Sequence, residues 1–370
     1  MNVNDYLLWR GDIPFSETFP INEIDSLILS RFSYLPFDKI DLLNNETIES
    51  ISLKMNKLKE EDFKLSDDKI LISNLGKSDR FKKLIVTDFY QNKSLKSEKQ
   101  FGAITIHLYD GIYVSYIGTD NSIIGWKEDF NMSFLKCVPA QIEGVKYLNL
   151  VASKYKGSIR LGGHSKGGNV AVYSSLNCDK KIQNRIIRVT NYDGPGFDKS
   201  VIKKSKHLDV LNRVITYIPQ DSVIGRVLEH EEDYEIVYSK EKGLYQHDIY
   251  SWEVLKNDLV KVDKVTDSSE FINDTLRTWL KNTSPKQRKI FVDSIFELLY
   301  STSTDTFRQL STNLIKELPS MMVTYKEISK EDKKLINDMI IEFVKASSVI
   351  MKQMSSLKIE ELKKSILNKN

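Results

Sequence analysis

The sequence predicts an α/β protein: a mostly parallel central sheet flanked by helices, with a helical C-terminal extension. Three observations carry this reading. Between residues 101 and 238, short β-rich runs alternate with apolar stretches of helical period, the pattern of βαβ units. The run Gly163-His164-Ser165-Lys166-Gly167 stands where one such strand gives way to a helix, the setting of the nucleophile elbow in the α/β-hydrolase fold. From about residue 263 the strand signals stop and the remainder reads as helices.

The elements follow in order. Residues 1–60 read as helical and irregular, and Asn22–Leu35 sets Ile24, Leu27, Ile28 and Phe32 on one helical face. The Lys-, Asp- and Ser-rich stretch 60–98 reads as surface elements with one short strand at Leu84–Phe89. Ala103–Tyr109 and Ile112–Ile117 flank Asp110-Gly111, a hairpin signal. A helix over Ala140–Lys154 carries Ile142, Val145, Leu148 and Ala152 at helical spacing. Then come a strand at Gly157–Leu161, a helix at Gly167–Leu176, and strands at Arg185–Tyr192, Arg213–Ile218 and Tyr234–Tyr238. The C-terminal helices are expected to break near Ser284-Pro285 and Pro319. The predicted division is an α/β domain over residues 1–262 and a helical region over 263–370.

Composition narrows the function classes. The chain has 370 residues, 41% hydrophobic and 28% charged, so a core of ordinary size can form. The net charge is +3, and residues 263–370, with 18 basic against 15 acidic residues, account for all of it. That mixture reads as a solvated face and excludes a nucleic-acid binder with a concentrated basic surface. Only Cys137 and Cys178 are present, without metal-type spacing to histidine, so no metal site and no cofactor are expected. The N-terminus lacks the pattern of a secretory signal, and no run is long and apolar enough for a membrane span. The expected location is the cytoplasm.

The elbow motif has a steric reason. A serine on a very sharp strand-to-helix turn leaves no room for side chains two positions before and after it, so glycine stands at 163 and 167. The following helix N-terminus aims its dipole and backbone N–H groups at the hydroxyl. The plain alternative is an incidental serine in a glycine-rich turn; the β-branched strand before it and the small-residue helix after it favour the nucleophile.

The triad order of this fold is Ser, acid, His. Three histidines lie downstream: His207 in a lysine-rich surface stretch, His230 in an acidic run before the last strand, and His247 in the loop after it. His247 is the expected base, because a base must approach from the carboxyl edge of the sheet. Two acids end strands on that edge. Asp221 follows the second strand after the nucleophile, the usual place, and is preferred. Asp193 is the alternative, though it could instead cap the Gly194-Pro195-Gly196 turn. For the oxyanion hole, one donor is the backbone N–H of Lys166. The other is expected at Thr119 in Gly118-Thr119-Asp120, after the strand Ile112–Ile117.

Four motifs in order then suggest a family: Tyr-Ile-Gly-Thr-Asp with Gly-Trp-Lys-Glu-Asp (116–129), Gly-His-Ser-Lys-Gly-Gly-Asn (163–169), Asn-Tyr-Asp-Gly-Pro-Gly-Phe (191–197) and Gln-His-Asp with Ser-Trp (246–252). Together with Asp5-Tyr6-Leu7, Trp9-Arg10-Gly11-Asp12 they resemble a bacterial family of lipase-like α/β hydrolases (Mbeg-like) related to the class 3, or fungal-type, lipases. The resemblance covers about residues 1–262. It implies Ser165, Asp221 and His247 as triad, with Thr119 and Lys166 at the oxyanion hole. One position departs: class 3 lipases usually carry leucine after the serine, whereas here Lys166 stands, which would charge the pocket and favour an anionic head group.

The function expected is an esterase or lipase cleaving a small-molecule or lipid acyl ester through an acyl-enzyme. The competing class is a non-catalytic binding or regulatory protein on the same scaffold, with the C-terminal helices as partner surface. A third reading is peripheral membrane contact through Leu335–Val349, where Ile336, Met339, Ile340 and Phe343 share a face near lysines; such helices more often pack on their own protein.

Overall fold

A computed structural model describes residues 1–120, 122–202 and 204–367, without the side chains of 204–206, 307, 308, 311 and 355–367. The chain forms two compact units, the first of residues 1–120 and 136–264, the second of 121–135 and 265–370.

In chain order the elements begin with helices α1 (Val3–Arg10) and α2 (Glu23–Phe32), strand β1 (Glu46–Thr47), and helices α3 (Ile48–Met55) and α4 (Ser66–Leu75). Strands β2 (Ile85–Ser94), β3 (Lys99–Leu108) and β4 (Gly111–Tyr116) follow, then α5 (Ile123–Asn131) and α6 (Pro139–Lys154). Next come β5 (Ser158–His164), α7 (Lys166–Asn177), α8 (Lys180–Gln183), β6 (Ile186–Tyr192), α9 (Lys204–Leu211), β7 (Val214–Pro219) and β8 (Asp233–Val237). A two-stranded ribbon, β9 (Val254–Leu255) and β10 (Asp258–Leu259), ends the first unit. Strands β1 to β8 lie side by side in sequence order. Neighbours from β1 to β4 are antiparallel, and from β4 to β8 they are parallel. This is the mostly parallel, helix-flanked sheet that the sequence predicts.

The strand period of two explains how the sheet divides its side chains. On β4, Ile112, Val114 and Tyr116 face one cluster with Leu148 and Val151 of α6 and Val170 of α7. Tyr113, between them, faces the other with Leu27, Ile28 and Phe32 of α2. Two buried ion pairs tie the N-terminal helices to this second layer: Arg31 with Asp68 at 2.6 Å and Arg80 with Asp25 at 2.5 Å. Asn22 caps α2 and Asp25 closes the capping box.

Three local expectations differ from the structure. β2 runs on to Ser94, because the polar end of its hairpin with β3 is exposed and lacks strand-like alternation. On α6, Ile142 is 44% exposed, and the buried face is formed by Ala140, Gly144, Tyr147, Leu148, Val151 and Ala152. Residues 121–135, assigned by sequence to the hydrolase domain, belong to the second unit.

The second unit holds α5 with α10 (Asp267–Asn282), α11 (Pro285–Tyr300), α12 (Phe307–Glu327) and α13 (Lys330–Leu367). It builds its own core: Ile123 of α5 packs with Val292, Phe296 and Leu299 of α11 and Leu310 of α12. The Ile123 N–H donates to Asp305 O at 2.9 Å, joining α5 to the C-terminal helices. Pro285 sits in the first turn of α11 behind the Ser284 cap, where a missing N–H costs nothing. Pro319, expected to break a helix, lies inside α12. On α13 Met339 is buried, and Phe343 meets Trp279 of α10 edge-on, so half of the apolar face seen in sequence packs within this unit. Among the described residues no helix is long and apolar enough to cross a membrane.

Candidate active site

β5 delivers the chain to Ser165 and α7 carries it away. The turn is as sharp as the motif requires. Ser165 has φ 58° and ψ −136°, a conformation a non-glycine residue adopts only under constraint. A Cβ on Gly163 would lie 2.2 Å from Gly167 C, and one on Gly167 would lie 2.2 Å from Tyr116 O. Ser165 N–H donates to Tyr192 O at 2.9 Å, pinning the elbow to the end of β6.

His247 ends a short 3-10 turn, Gly243–His247, between β8 and β9. Its Nδ1 lies 2.6 Å from Asp193 Oδ2. A carboxylate only accepts, so Nδ1 carries the proton in this contact. Asp193 is 1% exposed, and its other oxygen accepts from Ser222 Oγ at 2.5 Å and from the Gly225 N–H at 3.1 Å. Asp193 has φ 51°, a left-handed conformation that Asp tolerates better than most residues.

Asp221, the acid preferred from sequence, is not the carboxylate that contacts the His247 ring in the structure. Asp221 Oδ2 accepts from the Gly243 N–H at 2.5 Å, and its own N–H donates to Gln246 Oε1 at 2.7 Å. Asp221 thus holds the turn that bears His247, while Asp193 holds the imidazole. The capping role considered for Asp193 falls to Asn191, whose Oδ1 accepts the Gly194 N–H at 3.0 Å.

His164 is a site residue that the sequence reading passed over. Its ring lies 4.4 Å from that of His247, inclined at 37°. Its Nε2–H donates to His247 O at 2.8 Å, and Tyr34 Oη donates to His164 O at 2.8 Å. Burial, then the neighbouring His247, Arg31 and Lys64, push the His164 pKa well below that of a free imidazole, so it stays neutral. Its place beside the serine was the only available signal. The other histidines play no part here: His207 lies on α9, and His230 pairs with Glu232 at 2.8 Å.

The loop after β4 brings Gly118 and Thr119 to the elbow. A Cβ on Gly118 would lie 1.9 Å from Tyr34 Oη and 2.5 Å from His164 O, so only glycine fits. Lys64 Nζ donates to Thr119 O at 2.9 Å, and Gln100 Nε2 donates to Gly118 O at 3.3 Å. The Lys166 N–H opens the first turn of α7 next to the serine. Its side chain does not charge a pocket, contrary to expectation. It is 1% exposed, with its ammonium 3.0 Å from Gln100 O and 2.6 Å from Gln100 Oε1. The Ser165 side chain makes no capping hydrogen bond to α7.

The Mbeg1-like family model matches residues 75–297, more than half of the chain. The chain belongs to the Mbeg1-like family. Ser165, Asp193, His247, Gln100, Thr119 and Lys166 all fall inside the matched span, and Tyr34 and Lys64 fall outside it. The solved structures this chain is similar to include M37 lipase, at TM-score 0.36 and 15% identity, over 54% of this chain and 68% of the lipase chain. No curated protein matches it in sequence.

Proposed function

We propose that the protein is a serine hydrolase that cleaves acyl esters through an acyl-enzyme. The observation that carries the reading is the 2.6 Å contact between buried Asp193 and His247 Nδ1, beside a serine held at positive φ. In this reading His247 Nε2 takes the Ser165 proton as Oγ attacks the ester carbonyl. Asp193 fixes the tautomer and stabilises the imidazolium. The Lys166 and Thr119 N–H groups receive the oxyanion. His247 then protonates the leaving alcohol, and a water deprotonated by the same nitrogen releases the acid and regenerates Ser165. The substrate is a small-molecule or lipid acyl ester.

The test is labelling with a fluorophosphonate probe, wild type beside Ser165→Ala, followed by p-nitrophenyl esters of increasing chain length. Labelling and turnover are expected for wild type and absent from a folded Ser165→Ala. A folded wild type that neither labels nor turns over any ester would instead fit a binding protein on a hydrolase scaffold.

A further inference from the structure

The lysine after the nucleophile is buried, and its side chain runs to the other half of the oxyanion hole. We propose that Lys166 is a positioning residue that uses its side chain, through Gln100 and Gly118, to orient the Thr119 N–H. This rests on the serine-hydrolase reading.

The links are short and directional. The Lys166 ammonium lies 2.6 Å from Gln100 Oε1 and 3.0 Å from Gln100 O, so Gln100, itself fully buried on β3, has its amide held one way round. With Oε1 on the ammonium, Nε2 faces Gly118 O at 3.3 Å. A trans peptide points its C=O and its N–H in opposite directions. The bond at Gly118 O therefore aims the Thr119 N–H to the opposite side of that peptide. The next peptide is fixed in the same manner, by Lys64 Nζ on Thr119 O at 2.9 Å. This loop runs against the elbow: a Cβ on Gly167 would lie 2.9 Å from Gly118 N. One residue thus contributes to both donors, its own N–H directly and the Thr119 N–H through two hydrogen bonds. Leucine at 166 could fill the space but would offer Gln100 Oε1 no ammonium.

The experiment uses the full chain and two variants. Gln100→Glu keeps an acceptor for the ammonium and removes the donor to Gly118 O. Lys166→Met keeps an unbranched side chain one atom shorter and removes the charge. Turnover of a short soluble ester, KM, melting temperature and fluorophosphonate labelling rate are measured beside wild type and Ser165→Ala. Gln100→Glu is expected to lower kcat and labelling rate about a hundredfold, as loss of one oxyanion donor does. KM should stay within about threefold and the melting temperature should hold, a split that a merely structural role would not give. Lys166→Met should lose a similar factor, and the double variant no more than the worse single one. Gln100→Glu with kcat within about threefold of wild type overturns the inference. So do losses that multiply in the double variant, since the lysine would then act by another route. Should Lys166→Met fail to fold, Gln100→Glu alone decides. Labelling absent from wild type, or surviving Ser165→Ala, overturns the serine reading itself, and this inference with it.

Discussion

Replacing each candidate acid by asparagine separates the two roles the structure gives them. In Asp193→Asn, Ser222 Oγ at 2.5 Å and the Gly225 N–H at 3.1 Å both donate to the Oδ1 position, so the amide oxygen stays there. The amide nitrogen is then left at the Oδ2 position, 2.6 Å from His247 Nδ1. Two donors cannot face each other, so the imidazole must move its proton to Nε2. That nitrogen can then no longer accept from Ser165. Wrong-tautomer variants of such triads lose about 10⁴-fold in kcat, or about 5.5 kcal/mol of transition-state stabilisation. In Asp221→Asn, one oxygen remains for the Gly243 N–H, and the bond to Gln246 Oε1 comes from the backbone and is untouched. The loss should stay within about tenfold. The assay is kcat and KM on a short p-nitrophenyl ester, with melting temperatures to show equal folding. Asp221→Asn more damaging to kcat than Asp193→Asn at equal stability would refute the reasoning.

Three further outcomes are expected. Ser222→Ala removes the hydroxyl that fixes Asp193 and should lower kcat by about three- to tenfold with little change in KM, measured on the same ester; an unchanged kcat would remove Ser222 from the site. Ser165→Ala should fold as wild type does and take up no fluorophosphonate, read on a labelled gel; a labelled band of wild-type intensity would place the nucleophile elsewhere. His164, neutral in the folded protein, takes up a proton near pH 6.5 only on unfolding, so its effect on stability is absent above that pH. Stability should then fall as pH drops below 6.5, by up to about 1.4 kcal/mol per unit. Urea unfolding of wild type and His164→Gln between pH 7.5 and 5.5 checks this, since the variant should lose that part of the slope; equal slopes would refute it.

Legibility differed between fold and site for physical reasons. Strands β4, β5 and β7 could be read from the sequence because strands covered on both faces are mostly apolar runs, and the elbow because steric exclusion writes glycine at 163 and 167. β2 was half hidden, since a hairpin end in solvent needs no pattern. The placement of residues 121–135 was hidden too, because joining the C-terminal helices takes only a few apolar positions such as Ile123 and an N–H bond to Asp305 O. Ser165 and His247 could be named as candidates because one stands in a local motif and the other at a topological place. The acid had neither, since strand order offers both Asp193 and Asp221. What separates them is a contest over a turn. A residue before Gly-Pro-Gly is ordinarily needed to cap it, and Asp193 would be spent there unless another side chain did so. Asn191, two residues earlier and fully buried, takes the Gly194 N–H and also donates to Gly194 O and Thr216 Oγ1. That leaves the Asp193 carboxylate, turned inward by its positive φ, for the imidazole. Which carboxylate reaches His247 is thus set by a neutral neighbour, and Asn191→Ala is expected to lower kcat on the short ester by drawing Asp193 back to its own turn.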